Sequence, residues 1–353
     1  MKINKDSVVF EKQDMAFVEK FGFFEATEMV LDYKAHNNLP FFYDVNQLAT
    51  FFGITKKELF EITKHPYKQY RKEYILKSSG KERILYIPNI RLANIQKHIY
   101  QDILKNLPVS EYATAYIPKK SLKDGALPHC NKKYLLKLDI TDFFGSISFE
   151  KIYSCAFNTK YYPKFIGYLL TALCTKDDCL PQGAATSPAL SNIVMKPFDD
   201  FIGLYCKKHN ITYTRYCDDM TFSADFPLYH IYQKVKAMLE NDGFELNERK
   251  TKFLKQTQRQ SVTGITVNQK PTVSREYKRK TRQEVYYLLK YGAENAVAHG
   301  KRFDFIKNNE IDHYKYFCHL KGKVGYILEI EPENLSFAIM NSLLHRYKQL
   351  FYK

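Results

Sequence analysis

The sequence contains no tryptophan and no run of eighteen apolar residues. Its most apolar stretch, "FIGYLLTALC" (165–174), is too short to span a bilayer, which favours a buried helix. The N-terminus, "MKINKDSVVF", lacks the apolar core and the small-residue cleavage site of a secretory signal. These absences argue against a membrane or secreted protein, and we expect a cytoplasmic one.

Cysteine is also sparse, with seven residues and no repeated CxxC pair. The closest approaches to metal-ligand spacing are "CTKDDC" (Cys174 to Cys179) and "CH" (Cys318 and His319). Neither has a matching second half, so a zinc site is the weaker interpretation. Reduced and mostly buried thiols are expected instead.

Positive charge and aromatic rings, by contrast, are abundant. The chain has 54 Lys and Arg against 38 Asp and Glu, a net charge of +16, together with 28 tyrosines and 26 phenylalanines. Cations neutralise phosphates and flat rings stack on bases, so this composition favours a nucleic-acid partner. The alternative is a basic surface around an aromatic core.

The periodicity predicts helices and a few strands in an irregular order. Residues 44–63 are predicted to be helical, with Thr55 and Glu58 as a capping box. Helices are also predicted over 90–107, 151–174, 187–208, 229–243, 278–300 and 334–352, and strands over 70–90 (two, around a Ser-Ser-Gly turn), 133–138, 211–226 (a hairpin), 243–254 and 260–268. Because this is not a βαβα alternation, we predict an α+β fold, an antiparallel sheet backed by helices.

Three carboxylates stand out in this pattern. Asp218 and Asp219 repel each other inside "RYCDDMTF", a stretch otherwise typical of a strand. Asp139 follows the buried strand 135–138, where an unneutralised charge is costly. An isolated Asp-Asp pair is usually a solvated turn, but that interpretation leaves Asp139 unexplained. Hard oxygen ligands select Mg²⁺ or Mn²⁺, and two such ions about 4 Å apart can drive phosphoryl transfer.

At this point the sequence resembles the reverse transcriptases. "LDITDFF", "LPQGAATSPALSN" and "YCDD" are similar to their motifs A, B and C, "NERKTKFL" to motif D, and "SGKERILYIP" to the fingertip segment. The Val-Thr-Gly of "QSVTGITVN" and the thumb-like "HLKGKVGYILEIEPEN" resemble the bacterial retron group. "DGALPH" resembles that group's Asn-Ala-x-x-His segment, but Gly125 replaces the asparagine. Cys217 stands where retrons more often have alanine.

The resemblance implies a right-hand polymerase fold with fingers, palm and a mostly helical thumb. It divides the chain into an N-terminal helical segment and the start of the fingers (1–69), fingers (70–134), palm (135–268, with a finger segment at about 155–185) and thumb (269–353). The chain ends soon after the thumb-like region, which we expect to leave no room for a maturase or endonuclease domain.

The resemblance also assigns roles to residues. Asp139, Asp218 and Asp219 are implied as catalytic metal ligands, aided by the Ile140 carbonyl, and Lys250 as the proton donor to pyrophosphate. The nucleotide contacts implied are Lys81, Arg83, Phe144, Gln182 and Gly183, and the primer or RNA contacts are Tyr216, Ala126, His129, Val262, Thr263, Gly264, Arg275, Lys278, Arg279 and Lys280. On the residues alone, Phe144 could be ordinary core, Lys81 and Arg83 a solvated turn, and Lys250 an exposed lysine.

The implied function is a retron RNA-directed DNA polymerase using two Mg²⁺ ions, or Mn²⁺. It would copy part of a structured non-coding RNA from dNTPs into single-stranded DNA, priming from a 2′-hydroxyl to leave a branched molecule. With an effector protein, the complex would defend bacteria against phage. Two alternatives stay open, a stand-alone reverse transcriptase of another bacterial class and an RNA-binding scaffold that restrains an effector.

Overall fold

The computed structural model describes residues 39–42, 44–76, 80, 82–300, 305–307 and 310–351. The N-terminal part of the predicted segment 1–69, Lys81 and the two serines of the predicted Ser-Ser-Gly turn lie outside the described residues. Within the described part of the chain, none of the helices is both long and apolar enough to cross a membrane.

Helices dominate both ends of the described chain. In chain order they are α1 (Val45–Phe51), α2 (Lys56–Lys64), α3 (Ile90–His98), α4 (Leu122–Ala126), α5 (Phe149–Ala156), α6 (Lys164–Cys174), α7 (Ser187–Lys208), α8 (Tyr229–Asn241), α9 (Arg275–His299), α10 (His313–Ile330) and α11 (Leu335–Phe351). Helix α3 continues as a π turn, Ile99–Ile103, and a 3₁₀ turn, Leu104–Asn106.

The strands are short and pair antiparallel. They are β1 (Tyr70–Leu76), β2 (Glu82–Pro88), β3 (Tyr134–Asp139), β4 (Thr212–Tyr216), β5 (Asp219–Ala224), β6 (Lys252–Lys255), β7 (Ser261–Val262), β8 (Ile265–Thr266), β9 (Ile306–Lys307) and β10 (Glu310–Ile311). Strands β1 and β2 form one hairpin, and β7 and β8 another around Thr263 and Gly264. The central sheet has the order β4-β5-β3-β6, so the predicted α+β class is confirmed.

The central sheet places β3 between β5 and β6. Leu135, Leu136 and Leu138 of β3 are all buried, because helices and loops cover both faces of this inner strand. The register pairs Asp139 with Asp219 and Leu138 with Met220. The last residue of β3 therefore lies beside the first residue of β5. The predicted hairpin thus brings Asp218 and Asp219 to the same end of the sheet as Asp139.

Local signals explain several helix ends. Both hydrogen bonds of the predicted Thr55–Glu58 capping box are present, and they start α2. The predicted helix over 44–63 is interrupted before that box by Gly53, whose φ is +65°. The single helix predicted over 151–174 was wrong. Pro163 precedes α6, and since proline lacks the N–H that a helix interior needs, α5 and α6 are separate.

The described residues contain two hydrophobic cores. The first surrounds the central sheet and helices α1 to α3 and α5 to α8. The second joins α9, α10 and α11, and it reaches the sheet through Leu135 and α4 through Ala126. Because Leu135 faces the second core whereas Leu136 and Leu138 face the first, the C-terminal helices pack against the side of the sheet opposite the main helical layer.

Candidate active site

The central sheet brings Asp139, Asp218 and Asp219 together at the ends of its strands, and this end of the sheet is called the acidic edge below. Asp139 and Asp219 are cross-strand partners on β3 and β5, and the Ile140 amide donates to the Asp218 carbonyl at 3.2 Å. Asp139 is buried, with 6% of its surface exposed, and the other two are half-buried. Burial raises the pKa of Asp219, and the charges of Asp218 and Asp139 raise it further. The three carboxylates therefore share one electrostatic site.

The Lys250 side chain occupies this acidic site. Its Nζ donates to both carboxylate oxygens of Asp139, each at 2.8 Å. This hydrogen bond raises the pKa of Lys250, and the charges of Asp218 and Asp219 raise it as well. The loop before β6 holds the lysine in place, because the Asn247 amide donates to the Asp139 carbonyl at 2.8 Å. Lys250 is thus an ammonium ion seated on the innermost carboxylate.

The donor set suits a hard divalent cation, although the described part of the chain has no preformed cluster of ligands. Among the described residues, no three His, Cys, Asp or Glu side chains come together as a ready metal site. Asp139 nevertheless holds a cation between its two oxygens, and Asp218 and Asp219 add carboxylates beside it. Oxygen donors of this kind match Mg²⁺ or Mn²⁺ once Lys250 withdraws. The residues present fit a divalent ion by their chemistry.

The turn that carries Asp218 has an unusual conformation. Tyr216 and Asp219 pair across the hairpin, so Cys217 and Asp218 form a two-residue turn. Cys217 has φ +58°, a region that favours glycine, and its side chain is buried. Burial raises the pKa of the Cys217 thiol to about 11. The thiol therefore stays protonated near neutral pH and supplies no thiolate for covalent catalysis.

The predicted nucleotide contacts lie on three separate segments. Phe144 is half-buried on the loop after β3, 5.6 Å ring to ring from Phe143. Gly183 has φ +123°, and a Cβ there would lie 2.8 Å from the Tyr86 carbonyl oxygen. Gln182 accepts a hydrogen bond from the Tyr86 amide at 2.7 Å. This bond ties the segment before α7 to β2, which also carries the exposed Arg83.

The predicted primer and RNA contacts are a mixture of enclosed and exposed groups. Ala126, His129 and Val262 are buried, Tyr216 is half-buried, and Thr263 and Gly264 form a turn with φ of +47° and +88°. Arg275, Arg279 and Lys280 are exposed on the first turns of α9, and Lys280 pairs with Glu276. Lys278 instead binds Glu331 at the end of α10, at 2.9 Å.

His129 connects α4 to the hairpin instead of facing outward. Its Nδ1 lies 2.8 Å from Ser223 Oγ and its Nε2 lies 2.9 Å from Thr214 Oγ1. One hydroxyl is on β5 and the other on β4, so the imidazole bridges the two strands of the hairpin that carries Asp218 and Asp219. A fully buried ring with both nitrogens engaged offers no surface to RNA in this conformation. In this position the His129 ring stabilises the central sheet by linking β4 to β5.

We expect His129 to make stability fall in acid. Burial lowers the pKa of His129 to about 3, from an ordinary value of 6.5. At a pH between these two values, His129 is protonated in the unfolded chain and neutral in the folded chain. The contribution of His129 to the free energy of unfolding is therefore complete above pH 6.5 and is lost as the pH falls toward 3. Between pH 7.5 and 5, the advantage of the wild type over His129→Gln in unfolding free energy should narrow by about 2 kcal/mol.

Urea unfolding of both proteins at the two pH values measures this change. His230→Gln, at an exposed histidine, is the matched control and should show no narrowing. A constant gap between wild type and His129→Gln would contradict the prediction.

Two residues of this site, Tyr116 and Arg215, were not predicted from the sequence. Tyr116, with φ +60°, donates its hydroxyl to Cys217 Sγ at 3.5 Å, and burial raises the pKa of this tyrosine. Arg215 is fully buried although it is charged, and it binds Asp199 of α7. The clue for Arg215 is strand alternation, since Tyr213, Arg215 and Cys217 all occupy buried positions. An arginine at such a position requires an acidic partner.

Comparison with known proteins places this chain in a family. A family model for reverse transcriptase (RNA-dependent DNA polymerase) matches residues 75–270, more than half of the chain. The retron Mx65 reverse transcriptase of Myxococcus xanthus is 29% identical over 85% of this chain and 71% of that protein. The retron Ec86 reverse transcriptase of Escherichia coli is 28% identical over 74% and 77%. The retron Ec83 reverse transcriptase of Escherichia coli is 30% identical over 76% and 85%.

Proposed function

From the premise that this chain belongs to the reverse transcriptase family, in its bacterial retron group, we propose that it makes DNA on RNA by two-metal phosphoryl transfer. The chain is an RNA-directed DNA polymerase with the α+β fold of that family, and reverse transcriptases in general depend on a divalent metal. The observation that carries the proposal is the pairing of Asp139 with Asp219 beside Asp218.

The metal ligands we propose are Asp139, Asp218 and the Ile140 carbonyl, with Asp219 assisting. When bound, two Mg²⁺ ions, or Mn²⁺, supply the charge that activates the primer hydroxyl and stabilises the departing oxygen. Lys250 would have to leave Asp139 for this carboxylate to hold a divalent ion. Away from Asp139, Lys250 would still be protonated near neutral pH, because the ordinary pKa of a lysine is about 10.4, and its Nζ would then give a proton to the leaving pyrophosphate.

The incoming dNTP would lie between the hairpin β1-β2 and the acidic edge. Arg83 and Lys81 would bind the triphosphate as cations, and Phe144 would pack against the sugar. Gln182 and Gly183 would face the nucleotide from the start of the motif B segment. The short bond from the Tyr86 amide to the Gln182 carbonyl supports this arrangement, since it joins the two nucleotide-facing segments.

The nucleic-acid partner we propose is a structured non-coding RNA and the DNA copied from it. A cavity of about 830 Å³ lies between the end of the β8 segment and the start of α9, lined by the cations Arg259, Lys270 and Arg275, by Glu276, and by Lys278, whose charge is paired with Glu331. Its charge, and the net +16 of the chain, support binding to phosphates. Tyr216, beside the catalytic pair, would face the primer end.

The wider biology rests on the family resemblance. We propose that the product is primed from a 2′-hydroxyl and remains branched, and that the complex works with an effector protein in defence against phage. The dNTPs that this reaction consumes and the RNA that it copies are found in the cytoplasm, which is where it would take place. The retron relatives favour this function over that of a stand-alone enzyme of another class.

Two arginines of α9 provide a direct test of RNA binding. We expect Arg275→Gln with Arg279→Gln to weaken RNA binding and to reduce the slope of log affinity against log salt by about 1 for each phosphate that is no longer neutralised. Filter binding or fluorescence anisotropy over a salt series measures the slope. Lys207→Gln with Lys208→Gln makes the same charge change at the exposed end of α7. An equal decrease in affinity for both variants would mean that only net charge matters.

The proposed function is tested by primer extension and by the nucleic acid that co-purifies. The wild-type protein with Mg²⁺ should incorporate dNTPs on an RNA template. Nuclease treatment and sequencing of bound nucleic acid should find RNA joined to DNA through a 2′-oxygen. Failure to incorporate dNTPs on any RNA template would favour the scaffold interpretation, and unbranched DNA would remove the priming proposal alone.

A further inference from the structure

Arg215 makes contacts that join the catalytic turn to α7. Its Nε donates to both carboxylate oxygens of Asp199, at 2.9 and 3.0 Å, and its Nη2 donates to Asp199 Oδ2 at 2.6 Å. The remaining nitrogen, Nη1, donates to the carbonyl oxygen of Cys217 at 2.9 Å. One guanidinium therefore holds a helix carboxylate with one edge and the turn backbone with another.

This ion pair is poorly explained as a source of stability alone. Both side chains are completely buried, and burying two charges costs desolvation that their attraction offsets only in part. Well-packed apolar residues of similar volume often stabilise a fold equally well. An apolar pair, however, could not donate a hydrogen bond to the Cys217 carbonyl.

The recipient of that hydrogen bond is the strained residue of the turn. Cys217 has φ +58°, and its neighbour Asp218 is a proposed metal ligand. The Arg215 backbone is fixed as well, because its amide donates to the Tyr112 carbonyl at 2.9 Å and its carbonyl accepts from the Thr114 amide at 2.8 Å. The guanidinium that binds the turn is therefore carried by a backbone that is itself held by hydrogen bonds.

We infer that Asp199 and Arg215 are positioning residues for the catalytic turn, in which Arg215 fixes the Cys217 carbonyl and thereby the direction of Asp218. Asp199 in turn fixes the guanidinium. Because Asp199 lies on α7, which begins just after Gln182 and Gly183, the same pair links the proposed nucleotide segment to the proposed metal ligands. This inference rests on the proposed two-metal function.

Arg215→Lys tests the positioning role directly. A lysine ammonium can keep the ion pair with Asp199, but it lacks the planar fork that reaches two acceptors in different directions. We expect kcat for primer extension to fall roughly ten- to a hundred-fold, with a smaller change in the KM for dNTP. Tyr213→Phe is the matched control. It removes the hydroxyl that donates to Asp199 Oδ1 at 2.8 Å, leaves the hydrogen bond to Cys217 in place and should keep wild-type kcat.

A second readout follows the turn itself and needs no catalysis. The side chain of Cys217, a residue of this turn, is buried. A more mobile turn should therefore raise the rate at which iodoacetamide alkylates Cys217 at least several-fold, as measured by peptide mass spectrometry. Cys174, buried far along the chain, should stay protected, and Cys318, which is exposed, should react in every variant.

Where Arg215→Lys does not fold, the variant Asp199→Leu with Tyr213→Phe and Arg215→Met replaces the whole buried network by apolar residues. It should fold, show a reduced kcat and expose Cys217 in the same way. A folded variant of either kind that keeps wild-type kcat overturns the inference, as does unchanged alkylation of Cys217. A wild-type protein that extends no primer would instead contradict the proposed function, while the alkylation comparison would still decide whether Arg215 holds the turn.

Discussion

Changing Asp139 to asparagine is expected to lower primer extension by at least about 10³-fold while the protein stays folded. Asp139 is the most buried of the three carboxylates and the one that already holds a cation on both oxygens. Asparagine keeps the shape of the side chain but removes the charge that a divalent ion requires. The decrease should appear in kcat at saturating dNTP and should not be recovered by raising the Mg²⁺ concentration within the usual assay range.

The folded state should tolerate Asp139→Asn. The partner in its ion pair, Lys250, has 61% of its side chain exposed, so the ammonium returns to water at little cost. Removing the Asp139 charge also removes one of the influences that raise the pKa of Asp219. We therefore expect the thermal unfolding midpoint to change by only a few degrees, and circular dichroism together with that midpoint measures this.

Asp142→Asn is the matched control for this prediction. Asp142 lies three residues further on, is exposed and has φ +40°, a conformation that asparagine also accepts. The control makes the same change of charge beside the same strand and should keep at least half of wild-type activity. Primer extension by Asp139→Asn within tenfold of wild type would remove Asp139 from the catalytic centre, and with it the two-metal proposal.

The acidic edge could be predicted from the sequence because its signals are local. A buried leucine-rich strand ending in Asp139 and a hairpin turn at Cys217 and Asp218 both follow from residue patterns of a few positions. That these segments are neighbours required the family resemblance. The register that pairs Asp139 with Asp219 depends on packing across the sheet, which no single segment encodes.

Contacts between distant residues account for what the sequence did not reveal. Lys250 reaches Asp139 across 111 positions, and Arg215 reaches Asp199 only because β4 packs on α7. The same limit applies to His129. Its motif resembled an RNA-facing segment, yet the imidazole lies buried between β4 and β5. Whether a polar residue in a motif faces solvent or the core is decided by tertiary packing, and a motif alone does not record it.

Helix ends show the opposite case, in which local chemistry was sufficient. The Thr55–Glu58 capping box began α2 as predicted, and Pro188 lies in the first turn of α7. The missed break between α5 and α6 was also local, since Pro163 stands at that boundary. The apolar pattern on either side of it outweighed the proline in the sequence interpretation.

Changing Phe144 to alanine is expected to let the enzyme use ribonucleotides. In the proposed site the ring lies five residues after Asp139, where it would fill the space that a 2′-hydroxyl needs. Removing the ring should lower the ratio of kcat/KM for dATP over ATP on the order of 10²-fold, which corresponds to about 2.7 kcal/mol of transition-state discrimination. Most of the change should come from faster ATP incorporation, because the steric conflict affects the ribonucleotide only.

Phe144→Tyr separates this steric role from packing. The ring is half-buried against the first core and lies 5.6 Å from the Phe143 ring, so alanine also removes apolar contacts and should lower the unfolding midpoint. Tyrosine keeps the ring and should retain the wild-type discrimination ratio. Single-nucleotide incorporation with each nucleotide gives the ratio for both variants. Unchanged discrimination in Phe144→Ala would assign the ring to the core, because a packing defect slows both nucleotides alike and leaves their ratio as it was.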